Sequence, residues 1–288
     1  MKKILYVAMA LVIGLLLNVG NCTSSPSDGI KVTSIDITPA TAVSVAEGVT
    51  TTLVATVLPA DAANKSVTWT TSDATIATVS TSGVVTGVKE GSASIRATAQ
   101  DGSAVFGTKT VTVEGVLINT LVWATRNIAG FRTWAATRET PGMFYQWNRQ
   151  TAYSSTNPLT PAWNSAAPGF PWNSANDPCP TGWRLPTRSD FEKLATAASV
   201  TFSWDAARIG GLFTNRTTSK NIFLPAVGYR LETNGSLQHS GVVGFYWSST
   251  NHLDNVNAYY FYFDGGSPLR TDDAHLFAAG MSIRCVKN

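Results

Sequence analysis

The sequence predicts a mainly β chain of two domains: an antiparallel β-sandwich followed by a compact α+β head. Three observations predict it. The 288 residues exceed one ordinary domain of about 100–200 residues. The composition breaks near residue 115: residues 31–115 carry two aromatics, Trp69 and Phe106, whereas residues 116–288 carry eight of the nine Trp. Short alternating runs separated by turn signals fill the first part, while helical spacing is rare in the second.

Charge excludes one class of partner at once. Only 14% of the residues are charged, with 21 Lys plus Arg against 18 Asp plus Glu, a net +3. No basic stripe marks a face for nucleic acid, so none is expected as a partner. Three Cys (Cys22, Cys179, Cys285) are too few for a pair of CxxC zinc-ligand sets.

The N-terminus reads as an address. Lys2 and Lys3 precede an apolar run over 4–17, shorter than the ~20 residues of a spanning helix. That pattern is a secretory signal. Small residues then lead into Cys22, and this order resembles a bacterial lipoprotein signal. The resemblance implies cleavage after residue 21, a lipid on Cys22, and anchoring to the outer membrane facing the cell exterior. An ordinary cleaved signal leaving a free Cys is the other reading. Loss of residues 1–21 leaves 19 basic against 18 acidic residues. Residues 22–30 are rich in Ser, Pro, Asp and Gly without apolar periodicity, a flexible tether. The eight residues after Cys22 reach at most ~28 Å when extended.

Residues 31–115 form the first domain. Alternating runs at 31–38, 51–57, 66–71, 75–80, 83–88, 92–97 and 104–113 are rich in Thr and Val, which suit pleated, half-buried surfaces. Turn signals between them indicate a sandwich. No acid pair, His or nucleophile stands out. Trp69, Ser72-Asp73, Ile76-Ala77-Thr78-Val79, Gly83-Val84-Val85, Gly91 and Ile95 resemble the bacterial immunoglobulin-like domain of group 2. That resemblance implies a spacer or adhesive module, with Trp69 as its core aromatic.

Residues 116–288 form the second domain. Its sharpest string is CPTGWRLPT at 179–187. Thr187 is a good helix N-cap and Asp190 sits at capping-box spacing. Phe191, Leu194, Ala195 and Ala198 then share one helical face. A short second helix is expected over 203–209, and strands over 222–228, 244–250, 258–263 and 281–286. The run 258–263 is almost continuously apolar, as in a strand covered on both faces.

The ordered motifs of this part resemble the Fibrobacter succinogenes major paralogous domain. They are WATRN at 123–127, Gly142 with YQW at 145–147, the CPTGWRLPT string, LPAVGYR at 224–230, YWSST at 246–250 and SIRCV at 282–286. The resemblance implies a C-type-lectin-like fold, in which Trp183, Arg184 and Trp247 are structural. Arg284 is expected to be structural too, pairing with Asp190 or Glu192. Cys179 and Cys285, the two cysteines left after lipidation, are expected to form a structural disulfide. Closing a loop of ~100 residues would contribute about 4–5 kcal/mol in the chain-entropy model.

Catalysis is not expected. RLPT before a helix and a terminal Arg-Cys also resemble formylglycine-generating enzymes, but those need reactive thiols, and both cysteines are assigned to the bond. No nucleophile, base and orienting acid occur at recognisable spacing, and no phosphate loop or dinucleotide fingerprint is present. The Glu-Pro-Asn, Gln-Pro-Asp and Trp-Asn-Asp tripeptides of calcium-dependent lectins are missing from the sequence. Asp264, Asp272 and Asp273 could take calcium through their oxygens, or be solvated loop acids; no other cofactor is expected. His239, His252 and His275 are scattered, so no transition-metal site is expected.

Binding is the expected role. Residues 150–176 interleave Tyr153, Trp163, Phe170 and Trp172 with Asn and Ser. Such rings suit sugar stacking or protein contact, or they cover the core beneath a long loop. The other candidates lie on two polar loops: Asn251, His252, Asp254, Asn255 and Asn257 on 251–257, and Arg270, Asp272, Asp273 and His275 on 264–279. Loops on a rigid scaffold are where recognition usually lives. The expectation is a surface-anchored lipoprotein whose head binds a glycan or protein ligand, as in adhesion. The alternative is a structural subunit of a surface fibre or envelope assembly.

Overall fold

The structure, a computed structural model, describes residues 29–166 and 168–288. The signal, Cys22 and most of the tether lie outside the described residues. The chain is mainly β, and Arg188–Thr196 is the single α-helix among the described residues.

The first domain is the expected immunoglobulin-like sandwich. In one sheet Val67–Thr71, Gly91–Ala99 and Phe106–Ile118 pair antiparallel. Opposite it lie Thr50–Thr52, Val84–Gly87 and Ala77–Val79, with Ser34–Thr38 paired to Val54–Leu58. Alternation sends Leu53, Val85, Ile95 and Val111 inward, where each is at most 1% exposed. Trp69 packs against both core clusters of the sandwich. Gly83 is required beside it: its φ is +81°, and a Cβ there would lie 3.1 Å from the indole. The strand Val43–Glu47, which runs parallel to Phe106–Ile118, was not expected. Its partner residues are 68 or 69 positions away, and local alternation over five residues carries little of that pairing.

The compositional boundary falls inside a strand. Phe106–Ile118 leaves the sandwich, turns into Leu121–Trp123, and that strand pairs with Val286–Lys287. One seven-stranded sheet therefore runs through both domains. Gly115, with φ +76°, shifts the side-chain period. Val111 and Val113 face the sandwich core, and Val116 and Ile118 face the head core. A one-residue slip in a period of two exchanges the faces of a strand.

The head is built around the strand Asn257–Asp264, paired between Val243–Asn251 and Ala274–Leu276. Ala258 and Tyr260 enter one core cluster, Phe261 and Phe263 the other, so the strand is covered on both faces. The helix carries the expected capping box: Thr187 accepts from the Asp190 N–H while Asp190 accepts from the Thr187 N–H. Its buried face sets Phe191 against Trp123 at 5.3 Å and Phe261 at 4.9 Å. Cys179 and Cys285 are bonded. Trp247 is buried and donates its indole N–H to the Tyr145 carbonyl at 2.8 Å. Trp183 is buried edge-on to Trp134.

Three expectations need correction. Residues 203–209 are not a helix: Val200–Asp205 pairs with Gly210–Asn215, and Asp205 caps the turn through the N–H groups of Ala207 and Arg208. The alternation that sets Phe202 opposite Phe213 outweighs the helical spacing. Residues 281–286 are strand only at Gly280–Met281 and Val286–Lys287. Arg284 is fully buried but pairs with neither acid. It donates to Asn127 Oδ1 at 2.8 Å, the Ala124 carbonyl at 3.0 Å and the Phe223 carbonyl at 2.9 Å. Asp190 is taken by Arg184 at 2.7 Å, and Glu192 by Arg188 at 2.9 Å.

Candidate functional site

A short hairpin organises the site. Tyr229–Arg230 pairs with Leu237–Gln238 around the turn sequence Thr233-Asn234-Gly235, an Asn-Gly signal. Gly235 has φ +69°, and a Cβ there would come within 2.6 Å of the Trp163 ring. Arg230, fully buried, holds the turn from beneath. It donates to the carbonyls of Ser154, Thr156 and Gly235 at 2.6–2.7 Å. Trp163 holds it from the side, donating its indole N–H to the Glu232 carbonyl at 2.9 Å.

Beside this turn lies a trough of about 480 Å³. Four segments meet there: Ser165 and Pro168, Glu232 and Thr233, Asn255 and Val256, and Leu276 to Ala278. Its walls are mostly apolar. Val256 and Leu276 are 52% and 41% exposed, whereas Phe277 is buried. Phe277 stacks on Trp147 at 4.3 Å, which fixes the floor to the core. Such a concave, largely apolar surface with a few polar groups is the usual form of a binding site.

The expected site residues divide into those that line the trough, those that shape it and those elsewhere. Asn255 lines it. Asp254 shapes its loop: Oδ1 accepts from the N–H groups of Val256 and Asn257, and Oδ2 from the Asn257 amide and His252. The Asn257 amide and these other bonds hold the Asp254 carboxyl well below the usual carboxylate range. Asn251 donates to the His252 carbonyl. The loop's polar side chains thus bond within the loop, and Leu253 and Val256 are left facing solvent. Arg270 pairs with Asp273 at 2.9 Å and covers the Tyr262 ring. Asp264 binds the Tyr262 hydroxyl and the Gly266 and Ser267 N–H groups. Neither these residues nor Asp272 line the trough. Among the described residues, no group of three or more His, Cys, Asp or Glu side chains could hold a metal.

The aromatic platforms are corrected. Tyr153 is buried, its hydroxyl donating to Gln146. Trp163 is half-buried between Tyr153, at 4.5 Å, and the backbones of Gly235 and Gly280. Trp172 is half-buried against Trp147 at 5.2 Å. Tyr153 therefore offers no stacking surface to a sugar, and Trp163 and Trp172 offer only the part of each ring left exposed.

Sequence reasoning missed Glu232, although the Asn-Gly signal marks its turn. Its Oε2 is buried without a hydrogen-bond partner. His275 stands close by, with a buried Nδ1 that also lacks a partner. Burial outweighs the Glu232 charge and lowers the His275 pKa, so the imidazole is neutral at pH 7.

A second cavity, of about 280 Å³, lies at the junction of the domains beside Trp134 and Trp183. Its acids are engaged. Glu90 binds Arg126 and the Thr125 hydroxyl, and Glu114 binds Ser44 and Lys287. It is a joint between domains.

Family comparisons match this division of the chain. Residues 31–113 match the bacterial Ig-like domain (group 2). Residues 116–287, more than half the chain, match the Fibrobacter succinogenes major domain. The chain belongs to that family. The trough lies wholly within the major domain. A 64-residue stretch is 52% identical to an alpha-L-arabinofuranosidase of Bifidobacterium longum, covering 22% of this chain and 6% of that protein. A 77-residue stretch is 39% identical to an uncharacterized protein of Clostridium acetobutylicum, covering 25% and 8%. The chain thus spans less than a tenth of the length of these curated relatives. Domains 4 and 5 of the S-layer protein SbsC are similar at 26% identity, over 30% of this chain and 53% of that one, with a TM-score of 0.24.

Proposed function

We propose that this chain is a surface lipoprotein whose C-type-lectin-like head binds a protein or glycan ligand in the trough and does so without catalysis. The lipid would sit on Cys22 and hold the protein to the outer membrane, with the Ig-like domain as a spacer carrying the head outward. The observation that carries this reading is the meeting of four chain segments on one apolar trough, on a floor anchored by Phe277 and Trp147. Rigid scaffolds that present irregular loops are the common build of recognition proteins.

The test is binding of the full chain to glycan and peptide arrays, wild type against Val256→Asp and Leu276→Asp. Both side chains are solvent-exposed, so the fold should survive the changes. The expected result is loss of the captured ligand by at least ten-fold with the melting temperature almost unchanged. Undiminished binding by both variants would remove the trough from consideration. Protease shaving of intact cells checks the orientation: an outward-facing head should be cleaved, and full protection would contradict display at the surface.

A further inference from the structure

We propose that the trough accepts a basic side chain, lysine or arginine, from a protein ligand, with its aliphatic stem along the apolar walls and its cationic end on Glu232. The inference rests on the binding reading above and names the ligand chemistry. It starts from an imbalance. Glu232 lines the trough, yet its Oε2 is buried with no donor. A buried acceptor left unmade costs about 1–3 kcal/mol, and more when charged, so native structures rarely leave one unexplained.

The neighbouring groups do not answer it. Arg230, two residues away, spends its donors on Ser154, Thr156 and Gly235. His275 forms no hydrogen bond to Glu232 Oε2, and its own Nδ1 is also without a partner. Trp163 donates to the backbone of Glu232 and not to its carboxylate. Trp163 therefore acts as a positioning residue that sets where the charge stands. Glu232 is the one carboxylate lining the trough, beside the apolar side chains of Val256, Leu276 and Phe277.

That pairing selects among ligands. A neutral sugar would supply hydroxyl donors, but the one aromatic side chain lining the trough, Phe277, is buried and offers no ring face for a sugar to stack on. A purely aliphatic side chain would match the walls and leave the Glu232 carboxylate without a cation. Lysine and arginine carry both an apolar stem and a cationic donor, and such side chains bury the stem while the head finds its partner.

The experiment uses the full chain and two probes: the peptide Ac-Ala-Lys-Ala-NH2 and its norleucine counterpart, which keeps the stem and lacks the amine. NMR of the Val256 and Leu276 methyl groups reads occupancy of the trough. The lysine peptide should shift those methyls saturably, with a Kd at least ten-fold below that of the norleucine peptide. Glu232→Gln should bring the ratio close to one while the protein stays folded. Equal binding of both peptides to the wild type, or a lysine preference that survives Glu232→Gln, overturns the proposal. Shifts produced by a glycan panel but by neither peptide also overturn it and leave the binding head standing. No shift from peptides or glycans removes both.

Discussion

Arg284 is a buried cation held by neutral oxygens. Its donors meet Asn127, Ala124 and Phe223, and burial brings its pKa down to about 10. It remains charged at neutral pH and joins three separate chain segments. Arg284→Met would leave those oxygens without a donor, at about 1–3 kcal/mol for each one that stays buried. Urea unfolding should therefore show a loss of about 3 kcal/mol or more, and a loss below about 1 kcal/mol would contradict the structural role. Asp190 makes a second prediction at this scale. Burial alone would raise its carboxyl, but Arg184 and Thr187 outweigh burial and hold it below the ordinary aspartate range. The lowered folded pKa means that its stabilisation is present above pH ~4 and is lost as pH falls through the folded value. Asp190→Asn should weaken the fold at pH 7 and flatten the acid limb of a melting-temperature profile between roughly pH 5 and pH 2. A variant with the wild-type acid limb would refute the assignment.

At the scale of elements, the disulfide ties the loop before the helix to the residue preceding the last strand across 106 residues. In the chain-entropy model such a closure contributes about 4–5 kcal/mol. Cys179→Ser or Cys285→Ser should each cost about 2–5 kcal/mol, read as a drop in the unfolding midpoint. Wild type treated with reductant should fall to the same midpoint, and a midpoint indifferent to reductant would refute the bond. The helix and its capping box show a different balance. Their residues are contiguous, so the sequence carried the helix start correctly. Residues 203–209 failed because strand pairing with Gly210–Asn215 lies beyond a local window.

For the whole molecule, the shared sheet makes the Ig-like domain more than a loose spacer. Ion pairs seal the joint. Glu47, 6% exposed, accepts from Arg138 and from the Glu90 N–H, while Glu90 binds Arg126 at 2.5 Å. Lys220 reaches the Val88 carbonyl at 2.9 Å. Gly115 admits Trp183, whose ring would lie 2.7 Å from any Cβ there. The wild type should therefore unfold in one calorimetric transition, and Glu47→Ala with Arg126→Ala should split it in two. Two transitions in the wild type would show that the sheet does not couple the domains.

The sequence by itself determined the two-part organisation, most sandwich strands, the capped helix, the cysteine pair and the packing of Trp69 on the sandwich core. Each depends on spacing within a short window, or on residue types whose burial cost leaves few options. The tertiary structure alone decided what those residues meet. It gave Arg284 three neutral oxygens in place of a carboxylate. It packed Tyr153, Trp163 and Trp172 inward, although their neighbours Asn and Ser read as a surface. It also bent the polar 251–257 loop onto Asp254, so that Val256 faces outward. Glu232, beside an Asn-Gly turn signal that says nothing of where its side chain goes, became the one carboxylate lining the trough. Such juxtapositions join residues separated by tens of positions, and hydrogen-bond competition among them is settled only when the chain has closed on itself.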